Sequence, residues 1–206
     1  MSANRLGRWS ALVVFLIGVI YAITLATGLA IFGLTKPIAD PVLAIMEVLT
    51  LLSAPALVVV MAAVHGYAPQ ERKTYSLTSL AFMILAAGTT SAVHFVELTA
   101  FRQMGSAGIA WPSAAYALEL LAWDVFLGLS LLFAAPVFEN HGLARVVRRG
   151  LLLGGFLCLA GVLGPALGDM RLQRIGVVGY AVVLPLVCLM LSILFRGSES
   201  LTAPSQ

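Results

Sequence analysis

The sequence predicts an all-α integral membrane protein: a six-transmembrane-helix bundle with both termini in the cytoplasm. Three observations carry this. The 206 residues are 61% hydrophobic and only 10% charged, with a mean hydropathy of +1.02, whereas soluble domains carry roughly 25% charged residues. The apolar residues come in six blocks, each near the roughly 20 residues a helix needs to cross a bilayer. Lysine and arginine are distributed unevenly between the two sets of connections, and they favour the cytoplasmic side.

The blocks cover approximately residues 11–34, 42–64, 77–101, 114–138, 150–167 and 174–195 of a single domain, 1–196. They are continuous rather than alternating, which argues against barrel strands. In hydrocarbon each backbone group must be satisfied within its own segment, so helices are the physical answer. The first block follows Arg5 and Arg8 as a signal peptide would, but its 24 residues exceed a signal's apolar region, so it is read as a retained helix. The second opens on Asp40-Pro41, a cap followed by proline at the first helical position. The third carries His94 and Glu97, and the fourth is announced by the AWPS stretch at 110–113. The fifth contains the spacings Gly150/Gly154 and Gly164/Gly168, which allow close backbone approach and favour packing within the monomer. Pro55 and Pro185 are expected to kink the second and sixth helices. The last ten residues, 197–206, read as a disordered polar tail.

The N-terminus, second loop, fourth loop and C-terminus hold eight basic residues. The other three loops hold four: Lys36, Arg102, Arg171 and Arg174. This bias places both termini inside, in a plasma membrane of bacterial type. The net charge of +3 then reflects topology and not a nucleic-acid partner. Trp9, Tyr67 and Tyr75 fit the inner aromatic belt and Trp111 the outer one. The longest loop, residues 65–76, is too short to fold as a domain, so any activity belongs to the bundle or its mouths.

Ionisable residues inside the spans are few. At 1.5 Å per residue, Glu47, Glu119 and His94 lie roughly 9–10 Å below the outer surface, Glu97 roughly 6 Å and Asp124 roughly 16 Å. Each such group costs on the order of 2.5–3.5 kcal/mol on insertion scales. The cost falls if they face one another. His94 and Glu97, three residues apart, share a helix face, and Thr90 and Ser91 extend it inward. Tyr116, Glu119 and Trp123 form a stripe on the fourth helix, from which Asp124 points about 140° away.

The expected centre is therefore His94, Glu97, Glu47 and Glu119 as acid–base groups, with Asp124, Trp123, Tyr116, Ser91 and Thr90 contacting the ligand. Such groups do not all stay charged in low dielectric and are expected to titrate as a coupled set. The leading reading is an intramembrane protein that binds a small apolar or lipid-like molecule, or acts on it by acid–base chemistry of the isomerase or hydratase type. A small proton-coupled transporter or ion-binding protein is the first alternative. Polar residues that only hold the bundle together are the second. The sequence names no cofactor. One histidine with carboxylates and no HExxH pattern points to no metal, a haem lacks a second buried histidine, and a retinal pigment lacks a buried lysine. Cys158 and Cys188 read as small apolar fillers. A homo-oligomer remains open.

Overall fold

A computed structural model describes residues 3–33, 38–104 and 111–202. Among these, regular structure is entirely helical. Six helices are long and apolar enough to cross a membrane: α1 (Asn4–Phe32), α2 (Val42–Tyr67), α3 (Gln70–Met104), α4 (Ala114–Val137), α5 (Gly142–Leu167) and α6 (Met170–Gly197). Every block expected from composition corresponds to one of them.

The helices outrun the apolar blocks. α5 begins at Gly142 and carries Arg145, Arg148 and Arg149 within it, and α2 and α3 are separated by Ala68 and Pro69 alone. The twelve-residue loop expected at 65–76 is thus mostly helix. A helix does not end where hydrocarbon ends, because its internal hydrogen bonds serve equally well at the interface, and polar side chains there are solvated. The final helical run continues to Thr202, into the expected disordered tail. Residues 203–206 of that tail, and Lys36, lie outside the described residues.

Sequence signals explain the helix starts. Asp40 accepts the N–H of Ala44 at 3.1 Å, Ser113 accepts that of Tyr116 at 3.1 Å, and Asp169 accepts that of Arg171 at 3.0 Å. Each side chain satisfies a donor that the first turn leaves free. Gly168, with φ of 72°, ends α5 in the left-handed conformation that glycine adopts without strain.

The start of α1 meets the ends of α2 and α6. A Cβ added at Gly7 would overlap that of Ala63, with the Phe195 ring just beyond. Tyr67 stacks there on Phe138 and meets Phe195 edge-on, at centroid distances of 5.7 and 6.0 Å. Tyr67 therefore packs within the bundle, whereas Trp9, Tyr75 and Trp111 are exposed as belt residues would be. Cys158 and Cys188 are buried and unbridged. The rest of this half is an apolar core that includes Val60, Met61, Leu127, Leu131 and Leu191. Outward faces carry Ile23, Leu52, Ile84 and Phe156, the surface expected of a chain solvated by lipid. The glycines of α5 pack inward: Gly150 faces Val187 and Gly154 faces Leu131.

Gly7→Ala is expected to destabilise the fold by about 1–3 kcal/mol, the range for overpacking a close contact. A second change, Ala63→Gly, should recover part of the loss. Detergent-titrated unfolding of the single and double variants measures both.

Three helices are locally wound as π-helix: Glu97–Phe101 in α3, Leu121–Leu127 in α4 and Gly179–Val183 in α6. Each inserts extra backbone per turn and rotates the residues that follow. In α6 the π segment immediately precedes Pro185, which supplies no N–H to its turn. These segments carry Glu97, Trp123, Asp124 and Tyr180.

Candidate functional site

At the end of the bundle opposite the chain termini, a cavity of about 460 Å³ opens between α1, α2, α3, α4 and α6. It runs from Ile38 and Trp111 at the mouth to Leu57 and Leu184 midway along the helices. Beyond that depth the buried side chains of Val60, Met61, Leu127 and Leu131 fill the core. Its walls are mainly apolar and aromatic. The polar groups on them include Glu47, His94, Glu119 and Gln173, and five aromatic residues join them: Tyr21, Trp111, Tyr116, Trp123 and Tyr180.

Glu119 is the hub of the first polar group. Its Oε1 stands 2.8 Å from His94 Nε2, accepts the Thr90 hydroxyl at 2.8 Å and accepts the Trp123 indole N–H at 2.5 Å. The same indole N–H lies 3.0 Å from Thr90 Oγ1. Three donors on one oxygen fix the carboxylate's position between α3 and α4. Among the described residues, Glu119 Oε2 and His94 Nδ1 have no hydrogen-bond partner. With Nε2–H directed at the carboxylate, neutral His94 keeps Nδ1 as its acceptor.

The second group joins Glu47 on the cavity wall to Arg102 and Asp40, which do not line the cavity. Arg102, at the end of α3, donates from Nε and an Nη to the two oxygens of Asp40, at 3.1 and 2.8 Å. Its other Nη lies 2.9 Å from Glu47 Oε2, close enough for an ion pair but angled away from a hydrogen bond. Glu47 is 1% exposed, and its Oε1 has no hydrogen bond among the described residues.

Asp40 lies in the connection ahead of α2, and the guanidinium beside it holds its carboxyl below the usual carboxylate range. A depressed folded value means the contribution to stability is present at neutral pH. It is lost as pH falls through that value, below the ordinary 3.8. Stability is expected to hold level from pH 7 to about 5 on this account and to decline below about 4. Arg102→Gln should flatten that acid limb, as thermal unfolding across the pH series would reveal.

The third group links the wall to a carboxylate behind it. Asp124 is fully buried between α5 and α6, against Gly161 and Gly176, where an added Cβ on either glycine would overlap its carboxyl. Gln173 Nε2 donates to Asp124 Oδ2 at 3.4 Å and to the Tyr180 hydroxyl at 3.5 Å. Tyr180 packs on Trp123 with ring centroids 5.3 Å apart.

Of the residues expected from sequence, His94, Glu47, Glu119, Trp123 and Tyr116 line one cavity. Thr90 stands just behind it, bonded to Glu119. Glu97, Asp124 and Ser91 do not line it among the described residues. Glu97 is 5% exposed and begins the π segment, whose winding turns the residues after it. Asp124 turns to α5 and α6, as its angular offset from Glu119 implies. Tyr21 lines the cavity, but Thr24 and Thr27 bond their own helix carbonyls at 2.8 Å.

Three residues here were not among the expected site residues. Arg102 counts in the sequence as a loop charge, Gln173 precedes the sixth apolar block and Tyr180 lies inside it as an ordinary aromatic. Arg102 shares the outer connections with Lys36, Arg171 and Arg174, so the sequence does not single it out as the partner of Glu47.

No protein-family model matches this chain, and no curated protein or solved structure matches it. The functional reading therefore rests on the geometry of the cavity. Grouped His, Cys, Asp and Glu side chains that could hold a metal ion do not occur among the described residues.

Proposed function

We propose that this polytopic membrane protein binds a small, largely apolar, lipid-like molecule in the cavity and acts on it by acid–base chemistry. The observation that carries the reading is that Glu47, His94 and Glu119, from three helices, meet on the wall of one mainly apolar cavity. Its volume falls within the roughly 300–1,000 Å³ typical of ligand sites. A few converging polar groups in such a cavity orient a ligand.

His94 is the proton-transfer group in this reading. Its Nδ1, enclosed by protein in this structure, takes a proton from the bound molecule once the ring turns toward the cavity. Glu119, held by Thr90 and Trp123, stabilises the imidazolium so formed through Nε2–H and keeps the ring oriented. The same proton returns to another atom of the molecule, which defines an isomerisation. In a hydration His94 instead takes a proton from water as the water oxygen bonds one carbon of a double bond, and that proton is delivered to the other carbon as the π bond breaks. Arg102 pairs with Asp40 and with Glu47 beside the cavity.

Support against a transport pathway comes from the packed apolar half beneath Leu57 and Leu184, where a polar route would have to continue. The charge bias of the loops places both termini in the cytoplasm and the cavity mouth on the outer face. The deciding experiment is native mass spectrometry of the purified protein, seeking a bound molecule that is retained in the wild type and lost in His94→Ala.

A further inference from the structure

We infer that the polar end of the molecule this cavity holds is an organic ammonium cation. This rests on the binding reading above and names the chemistry of the ligand. Two carboxylates, Glu47 and Glu119, line the cavity, while no lysine or arginine does among the described residues. The guanidinium of Arg102 is shared between Asp40 and Glu47, so these three groups together keep one negative charge. His94 and Glu119 add a second unless the imidazole is protonated. An apolar cavity carrying uncompensated negative charge rejects an anionic ligand and is neutralised by a cationic one.

The second, independent observation is the aromatic wall. Trp111 and Tyr116 meet edge-on at 6.0 Å near the mouth, and Trp123 and Tyr180 pack at 5.3 Å. Tyr21 joins them from α1. Aromatic faces around a desolvated site attract a cation through their quadrupoles, and such cages suit ammonium groups. A third is the state of Glu47: almost wholly buried, on the cavity wall, with Oε1 lacking a hydrogen bond among the described residues. A buried acceptor in that state calls for a donor, and an ammonium supplies both donor and charge. The ammonium belongs either to a lipid headgroup or to a free hydrophobic amine, since both present the same chemistry to the site.

The test uses full-length protein in dodecyl maltoside, carrying Trp9→Phe so that the remaining indoles, Trp111 and Trp123, report from the cavity. Phenylbutylamine, phenylbutanol and phenylbutyrate are titrated by tryptophan fluorescence, with empty micelles subtracted. The amine is expected to bind about tenfold or more tightly than the alcohol, with the carboxylate weakest. Glu47→Gln should weaken the amine about tenfold and leave the alcohol unchanged. Tyr116→Leu, which keeps both carboxylates, should show the same selectivity even if Glu47→Gln fails to fold. Competition by added phosphatidylethanolamine, whose headgroup carries N–H donors, identifies a lipid headgroup as the source, and its absence a free amine. An alcohol that binds as tightly as the amine, or a carboxylate that binds best, overturns the cation and leaves the cavity reading standing. If none of the three binds, both fall.

Discussion

Replacing Arg102 with alanine is expected to be the most destabilising single truncation at the cavity mouth. The guanidinium stands 2.9 Å from the buried Glu47, and it also ties the connection ahead of α2 to the end of α3. Removing one member of a fully buried ion pair costs about 3–5 kcal/mol, because the remaining charge stays desolvated and uncompensated. Arg102 is itself 30% exposed, so water can partly replace it, and a loss of about 2–4 kcal/mol is expected. The contact with Asp40 adds little, since an exposed pair contributes roughly 0–1 kcal/mol. The decisive control is the double variant Arg102→Ala/Glu47→Gln. If the cost comes from the stranded carboxylate, neutralising it should restore much of the stability. A double variant as unstable as Arg102→Ala alone would mean that Arg102 acts through packing of its stem. Unfolding titrations of the wild type and three variants close the cycle.

The second large effect concerns His94 and Glu119. His94→Ala is expected to abolish retention of the bound molecule, with an affinity loss of about 100-fold, within the 2–5 kcal/mol range for truncating a buried charge-paired group at a binding site. Glu119→Gln keeps a carbonyl oxygen for Thr90 and Trp123 but removes the charge opposite the imidazole. It should therefore retain most of the stability and lose most of the chemistry, by about 100-fold or more if His94 acts as general base. The contrast matters because polar residues that only hold helices together contribute about 0.6 kcal/mol per contact. Should both variants keep the wild-type complement of bound molecule and merely unfold earlier, the polar residues are interhelical glue and the site reading is wrong.

Much of this arrangement is legible in the chain. That His94 and Glu119 lie at one height follows from depth arithmetic alone: α3 and α4 are joined by a short connection, and counting from it puts both residues level. Asp40 and Ser113 announce their helices and cap them as residue type implies. Other features are not legible. Glu97 sits three residues from His94 but does not line the cavity among the described residues, and the winding changes from α to π from Glu97 onward, which no spacing rule foresees. Arg102 sorts by composition with the loops, although the helix continues through it and returns its charge to Glu47. Gln173 lies among basic residues that seem to end a span, but α6 has already begun at Met170.

The sequence by itself determined the solvent, the number of crossings and the height of each polar residue along its helix. Those depend on composition and on a rise per residue that varies little between helices. Only the tertiary structure decided which residues face one another, because that depends on rotation about each helix axis. The rotation is reset by every π turn, and the neighbour is chosen by how closely glycines such as Gly7, Gly161 and Gly176 let backbones approach. It is this rotation that gathers Glu47, His94 and Glu119 around one cavity and turns Asp124 away from it.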